Sequence, residues 1–340
     1  MGEPFKSVMK DFLFIGGCPR SGTSLLSALI GNLPGVGVVQ DLCMLFYLKH
    51  AALLTMCELN GVPPDSILRT LIEHSFDLRE TEFFPAFLSC SLEQCLNKKG
   101  MINGIVLRKF ISNMDNFLFY DYNVPDPRKD RGAGASYLRH LDLAKLFSCP
   151  TIADVCVEIL VSSSQPLGGA PSEKVSLVCD KTPENTAALD VIDLVMRDKG
   201  FRYLQIVRDP VSLFGARRQR FDNGLDGFCL FFKAYSKASF ESHHCLAKAL
   251  IRYEDIVHSP QSSLKKAFDS LNLSSYVQEF SGFDSGINPG KYVSYVGSAV
   301  DPERDCLKRE FVSQEERSYI YEKLAPFCEK YSYGPYSKSL

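Results

Sequence analysis

Two glycines, Gly17 and Gly22, frame the stretch Gly17-Cys18-Pro19-Arg20-Ser21-Gly22-Thr23-Ser24. The spacing approaches GxxxxGK[ST], a loop whose backbone N–H groups curl round a phosphate while a helix N-terminus adds its dipole. Thr23 stands where that loop carries Lys, and Ser24 closes the pattern. Arg20 is the cation at hand to replace the Lys. Kinases and NTPases need the Lys on the β- and γ-phosphates and a Mg²⁺ on the adjacent hydroxyl. The chemistry expected here is therefore phosphate binding without a β/γ polyphosphate. A plain strand-to-helix turn, with glycines chosen for positive φ, is the other reading.

Such a loop works only between a strand and a helix. Phe12 to Gly17 is a short apolar run that reads as a buried strand. From Thr23 to Asn32, Leu25, Leu26, Ala28, Leu29 and Ile30 suit a buried helix, ended by Pro34 and Gly35. Val36, Val38 and Val39 predict a second strand. Helical patterning follows from Leu42 to Leu59 and from Asp65 to Phe76. Three more strands are expected at Val175–Cys179, Tyr203–Val207 and Ala249–Tyr253, each followed by a helical pattern. This alternation predicts an α/β fold: a single domain over 1–340 with a central parallel sheet flanked by helices and the modified P-loop after strand 1. Loops are expected at 121–136, 162–173 and 281–305. The stretch of about 60–170 reads as a helical and loop insertion that shapes an acceptor site.

The 340 residues carry 38 Lys plus Arg against 40 Asp plus Glu, a net charge of -2. That balance argues against a nucleic-acid partner. Apolar residues at 45 % and charged residues at 23 % exclude a disordered or fibrous chain. The 12 cysteines include no CxxC pair and no zinc-ligand spacing, so they read as reduced thiols and no metal is expected. Met1 to Asp11 has no apolar signal core. The longest apolar run, Leu42 to Met56, contains Lys49 and His50 and is too short to span a bilayer. A cytoplasmic protein with no membrane partner is expected. The arginines are unevenly spread: five fall between 202 and 220.

Phe14-Ile15-Gly16-Gly17-Cys18-Pro19-Arg20-Ser21-Gly22-Thr23-Ser24-Leu25-Leu26 resembles the signature of the sulfotransferase family, in the style of tyrosylprotein and bacterial small-molecule sulfotransferases. The resemblance implies a loop, Gly17 to Ser24, that holds the 5′-phosphosulfate end of 3′-phosphoadenosine-5′-phosphosulfate (PAPS). Three later segments agree. Gln205-Ile206-Val207-Arg208-Asp209-Pro210 is similar to the family's 3′-phosphate signature, which implies that role for Arg208. The family's Ser eight residues on is Ala216 here, with Ser212, Arg217, Arg218 or Arg220 to compensate. Cys179-Asp180-Lys181-Thr182-Pro183 resembles a Lys-x-Pro turn whose Lys lies near the transferred group. There a fixed cation stabilises charge growing on the leaving oxygen. A surface Lys in a turn is the plain reading. Leu250 to Val257 resembles the family's late Tyr-Glu-Asp segment, which implies Tyr253 near the adenine, with Glu254 and Asp255 capping the helix or holding the sheet end. The tail carries a capping box at Ser313 and Glu316.

The attacking hydroxyl or amine must lose a proton. Continuing the alignment past Pro34 puts Asp41 near the Glu base of tyrosylprotein sulfotransferases, at a strand end facing the loop. Its plain reading is an N-cap for a helix starting at Leu42. The histidines His50, His74, His140, His243, His244 and His258 match no family base. The resemblance implies sulfuryl transfer from PAPS to a small-molecule acceptor. Asp41 is the base, Lys181 and Arg20 steady the reacting group, and adenosine 3′,5′-bisphosphate is the product. Protein tyrosine or carbohydrate sulfation, a P-loop kinase, and a non-catalytic nucleotide-binding protein are the alternatives.

Overall fold

The computed structural model describes residues 10–62, 77–97, 102–120, 141–164, 175–217, 224–241, 245, 247–278 and 309–334. Five strands, β1 (Asp11–Gly17), β2 (Val36–Gln40), β3 (Leu177–Lys181), β4 (Arg202–Val207) and β5 (Ala247–Arg252), form one sheet in the order β2-β3-β1-β4-β5. Every neighbouring pair is parallel. The α/β class with a central parallel sheet is thus as the sequence predicts.

Between β1 and β2 runs α1 (Thr23–Gly31). Between β2 and β3 run α2 (Met44–Leu59), α3 (Phe83–Leu88), α4 (Leu92–Asn97), α5 (Ile102–Tyr120), α6 (Leu143–Ser148) and α7 (Ile152–Ser163). Helix α8 (Leu189–Met196) leads to β4, and α9 (Pro210–Arg217) and α10 (Gly224–Glu241) lead to β5. The chain closes with α11 (Tyr253–His258), α12 (Pro260–Ser270), α13 (Gln314–Lys323) and α14 (Ala325–Tyr331).

Period-two alternation splits the core. Leu13 and Ile15 of β1, with Leu204 and Ile206 of β4, pack under Leu25, Leu26 and Leu29 of α1 and Leu264 and Phe268 of α12. Phe12 and Phe14 face the other way, onto α2, α7 and α8. Each such side chain contributes roughly 1.5–3 kcal/mol on burial. So β1 sends its helix to one face, while its neighbour β3 sends α8 to the other. In an open parallel sheet a crevice forms where successive connections diverge, at the C-terminal strand ends. At that end of β1 lies the loop Gly17–Ser24, the candidate phosphate loop.

Lys49, the charge inside the apolar run 42–56, lies at the centre of this second core. Its Nζ donates to the Ala187 carbonyl and to Asp190 Oδ1, both at 2.8 Å. Asp190 Oδ2 accepts from the backbone N–H of Leu78 at 2.9 Å. One buried pair therefore registers α2 against α8 and draws in the segment before α3. Removing either partner would strand the other charge, at roughly 3–5 kcal/mol.

Three elements differ from the sequence reading by two residues at one end or both. Strand β3 begins at Leu177 rather than Val175 and runs on through Asp180 and Lys181, because polar residues at a strand end still pair in the ladder. Strand β5 spans Ala247–Arg252, two residues earlier at its start. Helix α2 begins at Met44, not Leu42, because Asp41 and Cys43 both take positive φ, 50° and 52°, and interrupt the helical path. Cys43 occupies the cap position, so the reading of Asp41 as N-cap is overturned. The capping box of Ser313 and Glu316 is present on α13.

The expected helix at 65–76, the loops at 121–136 and 281–305, Arg218, Arg220, His74, His140, His243, His244 and Cys306 lie outside the described residues. So does most of the expected loop at 162–173, whose first residues end α7. Cysteines among the described residues are free thiols, and burial pushes that of Cys156 up to about 12. Among the described residues no helix is long and apolar enough to cross a membrane.

Candidate functional site

The loop after β1 turns tightly before α1. Ser21 N–H donates to the Cys18 carbonyl at 2.9 Å, and the Gly22 carbonyl accepts from Leu26 N–H at 3.0 Å, opening the helix. Arg20 takes φ 78° and Gly22 φ 104°. At Gly22 a Cβ would run into the Tyr253 ring. The position needs glycine for both conformation and space. Gly22→Ala is expected to cost about 2–4 kcal/mol, the sum of left-handed strain and overpacking. Urea unfolding measures that loss.

The Ser21 hydroxyl is buried in this loop and has no hydrogen-bond partner among the described residues. Buried polar atoms are rarely left so. Pro19 is half-buried, Cys18 and Thr23 are buried, and Arg20 and Ser24 are exposed.

Lys181 ends β3, beside β1 and β2, in register with Ile15 and Gln40. Alternation puts its side chain with Leu177 and Cys179, on the face covered by α1. Its Nζ reaches Ser24 Oγ of the phosphate loop at 3.3 Å and Asp41 Oδ2 at 2.6 Å. The Lys181 side chain is 1 % exposed and that of Asp41 48 %. The reading of Lys181 as a surface lysine is overturned, since a fully buried ammonium stands on this pair and on Ser24.

Asp41 follows β2 directly. Strand alternation would place it with Val39 on the far face. Its positive φ turns the chain, and its carboxylate meets Lys181 instead. The turn is clamped by Asp41 N–H donating to the Lys181 carbonyl at 2.8 Å. It is also held by Cys43 N–H on Thr182 Oγ1 at 3.4 Å.

On the other side of β1, Arg208 follows β4 and is 3 % exposed. Its Nη1 donates to the Arg20 carbonyl at 2.8 Å, and its guanidinium lies 4.2 Å from the Tyr253 ring centroid. Tyr253 thus packs between Gly22 and Arg208 at the start of α11. Buried Ser212, one turn into α9, accepts from Arg309 Nε at 3.0 Å. Arg309 also pairs with buried Asp209 at 3.0 Å. It lines a cleft of about 560 Å³ with Val211, Arg317 and Tyr321. Glu254 does not cap α11. Its carboxylate accepts from Asp209 N–H and Tyr333 O–H, both at 2.9 Å. It holds the sheet end, and burial raises its carboxyl. Arg217 lies in α9 and Ala216 is half-buried there.

No protein-family model matches the chain, and no curated protein matches it. Solved structures similar to it include two sulfotransferase domains. One is the sulfotransferase domain from the Synechococcus PCC 7002 olefin synthase, 16 % identical over 95 % of this chain and 98 % of that one, TM-score 0.46. The other is the sulfotransferase domain from the curacin biosynthetic pathway, 15 % identical over 94 % of this chain and 99 % of that one, TM-score 0.39.

By their contacts, the crevice brings together the loop Gly17–Ser24, Asp41, Lys181, Arg208 and Tyr253. Ser212 lies beyond this group, bonded to Arg309, which pairs with Asp209, the residue after Arg208. His50 lies within α2 and His258 ends α11. The sequence reading missed Arg309, Glu184 and Asp180. Glu184, one turn past Lys181, accepts a weak bond from the Cys43 thiol at 3.8 Å. Burial raises its carboxyl, and Asp41 adds to the shift. A thiol-carboxyl contact between residues 141 apart leaves no local sequence signal. Among the described residues no His, Cys, Asp and Glu cluster could hold a metal ion.

Proposed function

We propose that the chain is a sulfotransferase, moving a sulfuryl group from PAPS to a hydroxyl or amine of a small-molecule acceptor. The observation that carries this reading is the position of Lys181. It is a buried cation that touches the phosphate loop through Ser24 and a rim carboxylate through Asp41. A group held in the loop and an acceptor at Asp41 would meet at that ammonium.

The residues divide the work. Backbone N–H groups of the loop Gly17–Ser24, other than at Pro19, which has none, and Ser21, whose N–H bonds the Cys18 carbonyl, hold the 5′-phosphate with Arg20. The orphaned Ser21 hydroxyl gains a partner there. Arg208 takes the 3′-phosphate with Ser212 and Arg309, and Arg217 follows on the same helix. Tyr253 offers its ring to the adenine end. Asp41 accepts the proton from the acceptor as its oxygen or nitrogen bonds to sulfur. Lys181 steadies the bridging oxygen as the S–O bond breaks, and adenosine 3′,5′-bisphosphate leaves. The half-exposed Asp41 side chain is open to an acceptor from the solvent side.

Titration with adenosine 3′,5′-bisphosphate tests the donor half. At one hundred times Kd a ligand stabilises the fold by about 2.7 kcal/mol, a clear rise in melting temperature. Magnesium ATP serves as the comparison and is expected to give a smaller rise. No rise with bisphosphate at millimolar concentration would sink the reading. PAPS-dependent labelling of a panel of small hydroxyl and amine compounds then identifies the acceptor class.

A further inference from the structure

Asp180 is a buried carboxylic acid that the proposed reaction does not use. It lies one residue before Lys181, in register with Phe14 of β1 and Val39 of β2. Alternation turns it to the opposite face from Lys181, and the residue is 5 % exposed. Neutral groups reach its carboxylate. Asn185 Nδ2 donates to Oδ2 at 3.0 Å, and Thr182 Oγ1 donates to Oδ1 at 3.3 Å.

Both donors lead elsewhere. Asn185 Nδ2 also contacts the Ile15 carbonyl at 3.2 Å, just before the phosphate loop. Thr182 Oγ1, having given its proton to Asp180, accepts from Cys43 N–H at 3.4 Å, two residues past Asp41. One carboxylate thus ties the ends of β1, β2 and β3 together. Its two arms reach β1 at Ile15, two residues before the glycine loop, and the turn of the candidate base.

A buried carboxylate with neutral partners is expensive in solvation. Ionised, it only accepts, which suits two donors at once; an asparagine would turn an N–H toward one of them and keep only one of the two links. Perturbed acids of this kind gather at functional sites. Burial pushes the Asp180 carboxyl up to about 7, with the Asp41 charge adding to the shift. The Asn185 and Thr182 bonds and Lys181 oppose it. The nearby thiols of Cys43 and Cys179 feel its charge.

We infer that Asp180 is a positioning residue: ionised, it orients the Thr182 hydroxyl, fixes the turn at residues 41–43, and keeps Asp41 in register with Lys181 and the phosphate loop. The inference rests on the reading of Asp41 as the base. Once protonated, Asp180 donates where it had accepted, and the Thr182 hydroxyl must turn away. The turn at Asp41 then loosens.

Three variants test this: Asp180→Asn, Thr182→Val and Thr182→Ser. Asp180→Asn and Thr182→Val should speed amide exchange over residues 41–45 by about tenfold or more and lower kcat by a similar factor, with the donor KM within about threefold of wild type. Wild-type kcat should rise between about pH 6 and pH 8, and Asp180→Asn should be flat there. Thr182→Ser, which keeps the hydroxyl, should restore both exchange and kcat. Unchanged exchange in Asp180→Asn, or an unchanged kcat and pH profile, overturns the inference. If Asp180→Asn does not fold, equal behaviour of Thr182→Val and Thr182→Ser overturns it. Should the wild type sulfate nothing, the sulfotransferase reading fails, while the exchange data still decide whether Asp180 holds the turn.

Discussion

Asp41→Asn is expected to lower turnover by about 10²–10⁴-fold, the range that a general base contributes, and to leave bisphosphate binding intact. The substitution is nearly isosteric. Its amide oxygen can still accept from Lys181, now at 2.6 Å from the carboxylate. The clamp on the turn is made by backbone, from Asp41 N–H to the Lys181 carbonyl, and survives. What is lost is the ability to take a proton. Lys181 also loses its counter-charge, which leaves it at least as attractive to a bound phosphate. Kinetics with saturating PAPS, beside calorimetric titration with bisphosphate, separate the two effects. Normal turnover in Asp41→Asn would place the base elsewhere, with Glu184 the next carboxylate to examine.

Arg208→Ala is expected to weaken bisphosphate binding by about 10–150-fold, the equivalent of losing hydrogen bonds to a charged group worth roughly 1.5–3 kcal/mol. Arg208 touches both the glycine loop and the start of α11. It holds the Arg20 carbonyl at 2.8 Å and lies over the Tyr253 ring. On the proposed reading its loss removes a phosphate ligand, and it also leaves Arg20, in its left-handed conformation, without that hydrogen bond. Arg208→Lys retains charge but not the planar fork, and should recover only part of the affinity. An affinity equal to wild type in Arg208→Ala would remove this residue from the nucleotide site.

Much of the crevice was legible because its parts are local patterns. The spacing of Gly17 and Gly22 after an apolar run is a strand–loop–helix signal in itself. Arg208 and Lys181 stand out through segments that resemble the family's, each placed at the end of an apolar strand. The same rule misplaced the start of β3, because Val175 and Ser176 belong to the approach and the ladder continues through Asp180 and Lys181. The start of α2 was misplaced because positive φ at Asp41 and Cys43 has no signature in residues that are neither Gly nor Asn. Whether Lys181 was buried could not be read locally, since its partners lie 140 and 157 residues away. The bonds of Asp180 to Thr182 and Asn185 span two and five residues. Their meaning depends on Ile15 and Cys43, brought in by sheet order. Arg309 reaches Ser212 across 97 residues and belongs to no motif.

The sheet order has a consequence for how the molecule comes into being. Strand β1 is made first, yet both of its partners, β3 and β4, come late in the chain. Asn185 closes onto Ile15 over a separation of 170 residues. Pairings this distant must meet the entropy of loop closure before they return any stabilisation, which slows folding. During synthesis, β1 therefore waits with both edges unpaired and only helices that precede β3 to cover its apolar faces, a state prone to association. The phosphate loop cannot acquire its lysine until more than half the chain has emerged. The crevice is completed late, as the central strands close on β1.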